Sequence, residues 1–335
     1  MVKGFTFGKF LPFHKGHEEM IRFAASRCDR LSVLVCASDR ELIAGETRKK
    51  WMEHTLRDIP GLEVLVFEYD ENEYPNSSVS SRDISMKWAS VFRRLFPDHL
   101  LVFTSEVYGN YVAGYMGIGH ISFDLSRSRV PVSATGIRSD LFRFWNYLPD
   151  AVKRDLAIKV VLLGTESTGK TTLTRLLSEH YHCTAVMEAG RDLIPDSNNF
   201  GISDLYVVAK EHARLIRDAE IAGSPLIIID TDIHITASYC RFSFNRHLDV
   251  DEEIYRVNKA GLYLYLNNDV PFIQDGTRMA ESQRNRLDQS HRSILSDRDI
   301  RYAEITGENW QSREDQAIME IDRLIEMQNK LYHEI

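Results

Sequence analysis

The stretch Ile158-Lys-Val-Val-Leu-Leu-Gly164-Thr-Glu166-Ser167-Thr168-Gly169-Lys170-Thr171-Thr172-Leu173 decides how the chain is read. The apolar run from 158 to 163 predicts a buried strand. Gly164, Gly169, Lys170 and Thr171 follow at the spacing G-x-x-x-x-G-K-[ST], and a helical pattern begins at once. Strand, glycine loop and helix in that order form a phosphate-binding loop in its required context. Glycines let backbone N–H groups curl around a phosphate, and the helix N-terminus adds partial positive charge. The loop residues Gly164, Glu166, Ser167, Thr168 and Gly169, with Lys170, Thr171 and Thr172 opening the helix, are therefore expected to bind ATP. Lys170 would reach the β- and γ-phosphates, and the Thr171 hydroxyl would ligate Mg²⁺.

Composition narrows what surrounds that loop. A chain of 335 residues suggests two domains. The net charge is −8 and basic residues form no long run, so no nucleic-acid partner is expected. The cysteines Cys28, Cys36, Cys183 and Cys240 are scattered with no C-x-x-C pair, which predicts a reduced, cytoplasmic chain without a disulfide framework or zinc site. The N-terminal apolar run is too short for a signal peptide, and no apolar stretch is long enough to span a membrane. No internal repeat is found.

The first half carries a second phosphate signature. Phe5 to Phe7 reads as a strand, Gly8-Lys9-Phe10-Leu-Pro-Phe-His14-Lys-Gly16-His17 as the loop after it, and a helix with Met20, Phe23 and Ala24 on one face follows. In this H-x-G-H the glycines permit close backbone approach, and the imidazoles can donate hydrogen bonds to an α-phosphate that gains charge during displacement. Farther on, Val132-Ser133-Ala-Thr135-Gly-Ile-Arg138 resembles the I-S-x-T-x-x-R element that partners H-x-G-H in the nucleotidyltransferase superfamily. Ser133 and Thr135 would cap a helix aimed at phosphate, and Arg138 would hold the leaving pyrophosphate. Strands at 31–37, 64–69 and 100–103 alternate with helical stripes, which implies a doubly wound parallel sheet with ligands beyond the carboxyl ends of its strands. Arg48 is a candidate for a substrate phosphate, with a solvated helix face as its plain alternative. The polar loop from Tyr74 to Ser81 could cover the site or be ordinary surface.

The second half continues the alternation. A strand from Cys183 to Met187 ends in Glu188-Ala-Gly-Arg191, and Pro225-Leu-Ile-Ile-Ile-Asp230-Thr-Asp232 is an aliphatic strand closed by acids. Asp230 fits the Mg²⁺ shell of a P-loop enzyme. Asp232 or Glu188 could take the proton of an attacking hydroxyl or bind a ribose hydroxyl, and Asp232 could instead cap a helix. Arg278, Arg284 and Arg286 lie in a polar stretch suited to a mobile lid, with Arg278 the favoured phosphoryl-stabilising residue. Arg313 to Leu331 predicts an amphipathic helix that covers a core. The domains are placed at 1–150 and 156–335.

An H-x-G-H domain followed directly by a P-loop domain resembles the NadR-type bifunctional nicotinamide mononucleotide adenylyltransferase and ribosylnicotinamide kinase. The resemblance rests on the loop from Gly8 to His17, Thr104-Ser105-Glu106, Val132 to Arg138 with Phe142-Arg-Phe-Trp145, Gly164 to Lys170, Ile229 to Asp232, and Val270 to Arg278. It implies two α/β doubly wound domains, a Rossmann-like nucleotidyltransferase and a P-loop kinase, which act in NAD salvage. It implies ATP bound at Phe7, Gly8, Lys9, Phe10, His14, Gly16 and His17, with Ser133, Thr135 and Arg138 on the phosphates. Arg48, Ser105 and Glu106 would contact the mononucleotide, and Glu188, Arg191, Asp230 and Asp232 the riboside. Nicotinamide riboside, nicotinamide mononucleotide, ATP and NAD are the expected ligands, Mg²⁺ the expected ion, and a homo-oligomer is compatible with the reading. The first strand starts within the first few residues, so the helix-turn-helix that some relatives carry before it is not expected. The chain departs from the family at Glu188-Ala-Gly-Arg191, where an aromatic is usual, at Lys210-Glu-His212, and around Tyr74 to Ser78, where tryptophans are missing.

Overall fold

The computed structural model describes residues 1–74, 82–194, 200–269, 281–307 and 309–333. The chain divides into two compact units, Met1–Asp155 and Leu156–Gln328. No helix among the described residues is long and apolar enough to cross a membrane.

In the first unit, strands β1 (Lys3–Gly8), β2 (Arg30–Ser38), β3 (Leu62–Tyr69), β4 (Leu101–Thr104) and β5 (Gly119–Ser122) form one sheet in the order β3-β2-β1-β4-β5. Every pairing is parallel. Helices α1 (Lys15–Ala25), α2 (Gly45–Thr55), α3 (Arg82–Leu95), α4 (Gly109–Met116), α5 (Ala134–Ser139), α6 (Leu141–Phe144) and α7 (Asp150–Leu156) connect or follow them. A parallel sheet covered on both faces needs strands without a polar side, and Phe5, Val33, Val35 and Val102 have no exposed surface. Phe5, Phe92 and Phe96 pack ring against ring between β1 and α3.

The second unit repeats the plan. Strands β6 (Ile158–Leu163), β7 (Thr184–Val186), β8 (Leu226–Asp230), β9 (Leu262–Leu266) and β10 (Ala303–Ile305) run in the order β10-β9-β6-β8-β7, again all parallel. Its helices are α8 (Lys170–His180), α9 (Gly190–Leu193), α10 (Ile202–Glu220), α11 (Ile233–Phe244), α12 (Glu252–Asn258), α13 (Glu281–Asp297) and α14 (Trp310–His333). Val160 to Leu163 and Leu226 to Ile229 are wholly buried, so the two aliphatic runs are the paired centre of this sheet. Both units are doubly wound α/β, as the alternation predicts. In each, the first strand lies third of five, so the loop after it leaves the middle of the carboxyl edge, where the order of strands reverses.

Candidate active sites

In the first unit the loop between β1 and α1 builds the site. Its Leu11–Pro12 peptide is cis. His14 stands at the N-cap of α1, and its Nδ1 accepts from the backbone N–H of Gly16 (3.1 Å) and His17 (3.3 Å). A neutral imidazole that accepts at Nδ1 carries its proton on Nε2, which is left to donate. The rings of His14 and His17 stack 3.6 Å apart. Burial keeps both neutral: it pushes His14 down to about 3 and His17 well below its ordinary value, and the charge of Arg127 adds to each effect. Nδ1 of His17 is buried without a hydrogen-bond partner among the described residues, the kind of atom a ligand would satisfy.

These rings line a cavity of about 300 Å³. Phe7, Gly8, Lys9, Phe10 and Gly16 line it from the loop after β1. Ser105 and Glu106 line it from the loop after β4, and Ser133, Thr135 and Arg138 from α5 and its N-cap. Ser133 caps α5 by accepting from Gly136 N–H (3.0 Å). Thr135 lies in the first turn instead, where its hydroxyl accepts from Arg138 (3.4 Å). The other guanidinium nitrogen of Arg138 donates to Leu11 O (2.6 Å), which ties the two motifs together.

Arg48 is placed differently from the expectation of a substrate contact. It has no exposed surface, ion-pairs Glu41 (2.6 Å) and donates to Lys9 O (2.7 Å). Glu41 also pairs with Lys9 (2.9 Å). The helical position of Arg48 made it a candidate, but a buried carboxylate that the motifs do not mark claims its charge, so it braces the Lys9 loop from below.

In the second unit the P-loop has the backbone its glycines predict: Gly164 has φ 136° and Gly169 φ 89°, and Ser167 joins them at 63°. A Cβ on Gly164 would lie 2.6 Å from Leu266 O. Lys170 Nζ folds over the loop and donates to the carbonyls of Gly164 and Thr165, each at 2.9 Å. Thr171 Oγ1 donates to Asp230 Oδ2 (2.6 Å), and Asp230 Oδ1 is buried without a hydrogen-bond partner among the described residues. A hydroxyl and a carboxylate oxygen side by side, one of them unsatisfied, are the hard donor set that Mg²⁺ takes, so the residues fit the ion. Burial raises the Asp230 carboxyl above its ordinary value, while Lys170 pulls the other way.

A cavity of about 320 Å³ opens beside the loop. Glu166, Ser167 and Lys170 line it together with Glu188 and Arg191, which pair with each other at 3.2 Å. Gly164, Thr168, Gly169 and Thr171 form the loop and the helix start without lining the cavity, and Thr172 is exposed. Asp232 is a correction to the catalytic reading. Its carboxylate caps α11 by accepting from His234 N–H (3.0 Å) and Ile235 N–H (3.2 Å), and it meets the His234 ring at 2.5 Å. It is wholly buried and does not line the cavity, whereas Glu188 does. Between Asp230 and Asp232, Thr231 takes φ 74°, unusual for a β-branched residue, and its carbonyl accepts from His212 Nε2 (3.0 Å). Arg278 lies outside the described residues, as does most of the loop from Tyr74 to Ser81.

Sequence reasoning missed three contributors. Phe200 and Tyr239 line the second cavity and supply aromatic surface where Ala189 does not; the Tyr239 hydroxyl donates to Glu166 (3.2 Å). Arg313, read as part of a covering helix, is fully buried and donates to Thr168 O (2.9 Å), Asn267 O (2.9 Å) and Gly307 O (2.6 Å) while pairing with Asp269. The aromatic pair carries a faint composition signal, while Arg313 carries none before the loops are folded together.

A family model described as an AAA domain matches residues 159–313, the P-loop unit. The chain is 28% identical to the "Trifunctional NAD biosynthesis/regulator protein NadR" of Escherichia coli (strain K12), over 92% of this chain and 80% of that one. It is 28% identical to the protein of the same name from Salmonella typhimurium, over 84% and 73%. Two crystal structures of NadR, one with NAD and AMP-PNP and one with NR, superpose at TM-score 0.64 over 96% of this chain with 19% identity, which shows a shared fold. Along nearly its whole length, then, the chain resembles the NadR-type proteins.

Proposed function

We propose that this chain carries out two consecutive steps of NAD salvage, phosphorylation of nicotinamide riboside in Leu156–Gln328 and adenylyl transfer to nicotinamide mononucleotide in Met1–Asp155. The observation that supports it is two motif-bearing loops of different type, H-x-G-H and P-loop, each beside its own cavity, in a chain similar to an NAD biosynthesis protein.

In the kinase step the riboside lies in the cavity that Tyr239, Phe200 and Glu188 line. Its 5′-oxygen attacks the γ-phosphorus of ATP, the bond to the bridging oxygen breaks and ADP leaves. Glu188 is the carboxylate placed to take the hydroxyl proton. Lys170 and the loop N–H groups offset the charge on the migrating phosphoryl group. Thr171 and Asp230 would hold Mg²⁺, which when bound neutralises charge on the phosphates.

In the transferase step a phosphate oxygen of the mononucleotide attacks the α-phosphorus of ATP. The bond to the β-phosphate bridge breaks and pyrophosphate leaves beside Arg138 and the start of α5. The nucleophile is already an anion, so no base is needed. The neutral His14 and His17 serve as donors to the α-phosphate, and positioning does the rest.

Product analysis tests the reading. The pure chain with Mg²⁺-ATP should convert both nicotinamide riboside and nicotinamide mononucleotide to NAD. Lys170→Ala should stop the first conversion and spare the second, and His17→Ala should leave the mononucleotide as end product. Loss of riboside phosphorylation in folded His17→Ala, or of adenylyl transfer to the mononucleotide in folded Lys170→Ala, would refute separate sites.

A further inference from the structure

The first cavity holds one arginine that neither motif accounts for. Arg127 follows β5 in a tight loop in which Asp124 (φ 41°) and Arg127 (φ 52°) are both left-handed. The Asp124 carboxylate fixes that loop by accepting from Ser128 N–H (2.9 Å), the Ser128 hydroxyl (3.0 Å) and Arg129 N–H (2.9 Å), and Arg127 N–H donates to Asp124 O (2.8 Å). Two non-glycine residues held at positive φ cost energy that the rest of the loop must offset. The result is to set the Arg127 side chain on the cavity wall, where it pairs with Glu106 at 3.0 Å.

The cations of this cavity are unequally committed. Lys9 is held by the buried Glu41. Arg138 is half-buried and bonded to Leu11 O and Thr135. Arg127 and Glu106 are both about half exposed, at 50% and 48%. An exposed pair of this kind contributes at most about 1 kcal/mol, so a phosphate dianion can displace the carboxylate at small cost and gain a forked guanidinium contact. Position separates the arginines as well. Arg138 is tied to the loop after β1 and Arg127 to the loop after β4, adjacent strands of the sheet, so the crevice between them is walled by a cation on each side.

We propose that Arg127 takes the 5′-phosphate of the acceptor mononucleotide, exchanging Glu106 for it, and thereby selects phosphorylated acceptors at the adenylyl-transfer site. The inference rests on the transferase reading above. It gives the attacking phosphate a guanidinium of its own while Arg138 keeps the leaving pyrophosphate.

The test is initial-rate adenylyl transfer by the full chain with Mg²⁺-ATP and nicotinamide mononucleotide, and with a panel of other 5′-mononucleotides. In Arg127→Ala the acceptor KM should rise about tenfold or more, the loss expected for a hydrogen-bonded charge pair. Arg127→Lys should recover part of it, and the KM for ATP should stay unchanged. Phosphorylation of nicotinamide riboside by the same preparation should match the parent chain and so report an intact protein. An acceptor KM equal to that of the parent, or an ATP KM that rises with it, overturns the role of Arg127 alone. A parent chain that ignores nicotinamide mononucleotide but uses another mononucleotide overturns the substrate reading, and Arg127 is then judged with that acceptor. A parent chain inert to every mononucleotide overturns both.

Discussion

Arg313 Nη1 donates to the carbonyl of Thr168 at 2.9 Å across 145 residues of sequence, so the start of α14 holds the P-loop in place. The same guanidinium satisfies Asn267 O after β9 and Gly307 O after β10 and pairs with Asp269. Three loops at the carboxyl edge of one sheet thus meet on one buried charge. Replacing Arg313 by Ala leaves three carbonyls without their donor and the part-exposed Asp269 without its counter-charge, a loss of about 1–3 kcal/mol. Chemical denaturation should show that loss, and phosphorylation of the riboside should fall with it. Arg313→Lys should retain part of the stability but not the geometry, since one ammonium cannot reach all three carbonyls. Wild-type kinase activity in Arg313→Ala would disprove the bracing role.

Asp230, one of the residues proposed to hold Mg²⁺, affects stability in the opposite sense. Burial raises its folded-state carboxyl above the ordinary 3.8. A group raised in this way is disfavoured as an anion by the folded chain, so its contribution becomes less favourable as pH rises above 3.8. Asp230→Asn keeps an acceptor for Thr171 and removes the buried charge. The Mg²⁺-free variant should therefore melt at a higher temperature than the parent near neutral pH, with the gain shrinking in acid. Its kinase activity should drop about 10–100-fold, the usual loss for a group that orients a metal shell. Equal or lower Tm in the variant at neutral pH would contradict the account.

Much of this architecture was legible because its centre is apolar and its turns are punctuated. The aliphatic runs of β6 and β8 can only be buried strands, and the glycines of the P-loop and the H-x-G-H spacing mark the loops after the two central strands. Two of the edge strands were not legible: Gly119-His-Ile-Ser122 and Ala303-Glu-Ile305 are short, and each has an exposed position. Residues whose roles depend on long-range partners were hidden for the same reason. Arg48 looks like any helix arginine until Glu41 is folded beneath it, and Asp232 looks catalytic until α11 begins on it. Arg127 is set by a left-handed loop that no glycine announces.

The neutral His14 has a pH consequence. Its folded-state value is pushed down from 6.5 to about 3, chiefly by burial. Above 6.5 neither state holds the proton and the group contributes nothing to the pH dependence. Below it the unfolded chain binds a proton that the folded chain refuses, so stability falls as pH drops from 6.5 towards 3. One pH unit below 6.5 the loss is about 1 kcal/mol. Asn is a good N-cap and can accept from Gly16 and His17, so His14→Asn should keep the helix start and make the acid limb shallower, leaving the part that His17, also pushed down by burial, contributes. Adenylyl transfer should fall about a hundredfold or more, as when one donor to a developing charge is removed. The measurements are urea denaturation of the ligand-free chain between about pH 5 and 8, the range in which an ordinary histidine titrates, and transfer rates at neutral pH. An unchanged acid limb in His14→Asn would place the proton uptake elsewhere.

The ion pairs under the first cavity make a final prediction, one of non-additivity. Glu41 is 3% exposed and faces both Lys9 and Arg48, and Arg48 has no exposed surface. Glu41→Gln leaves a buried guanidinium without counter-charge, which should cost about 3–5 kcal/mol and loosen the loop that carries Lys9. Arg48→Met alone should also destabilise the chain, since it takes one of two cations from Glu41 and leaves Lys9 O without its donor. The double variant removes both buried charges, and an apolar side chain of similar length fills the space. Its loss of stability should fall short of the sum of the two single losses by about 1–3 kcal/mol, the range for residues in direct contact. A cycle of four denaturation curves measures that coupling. The transfer reaction should recover less than the stability does, because the double variant restores packing but not the carboxylate that fixes Lys9. Strictly additive losses would show that Glu41 and Arg48 act separately and that the position of Lys9 has another source.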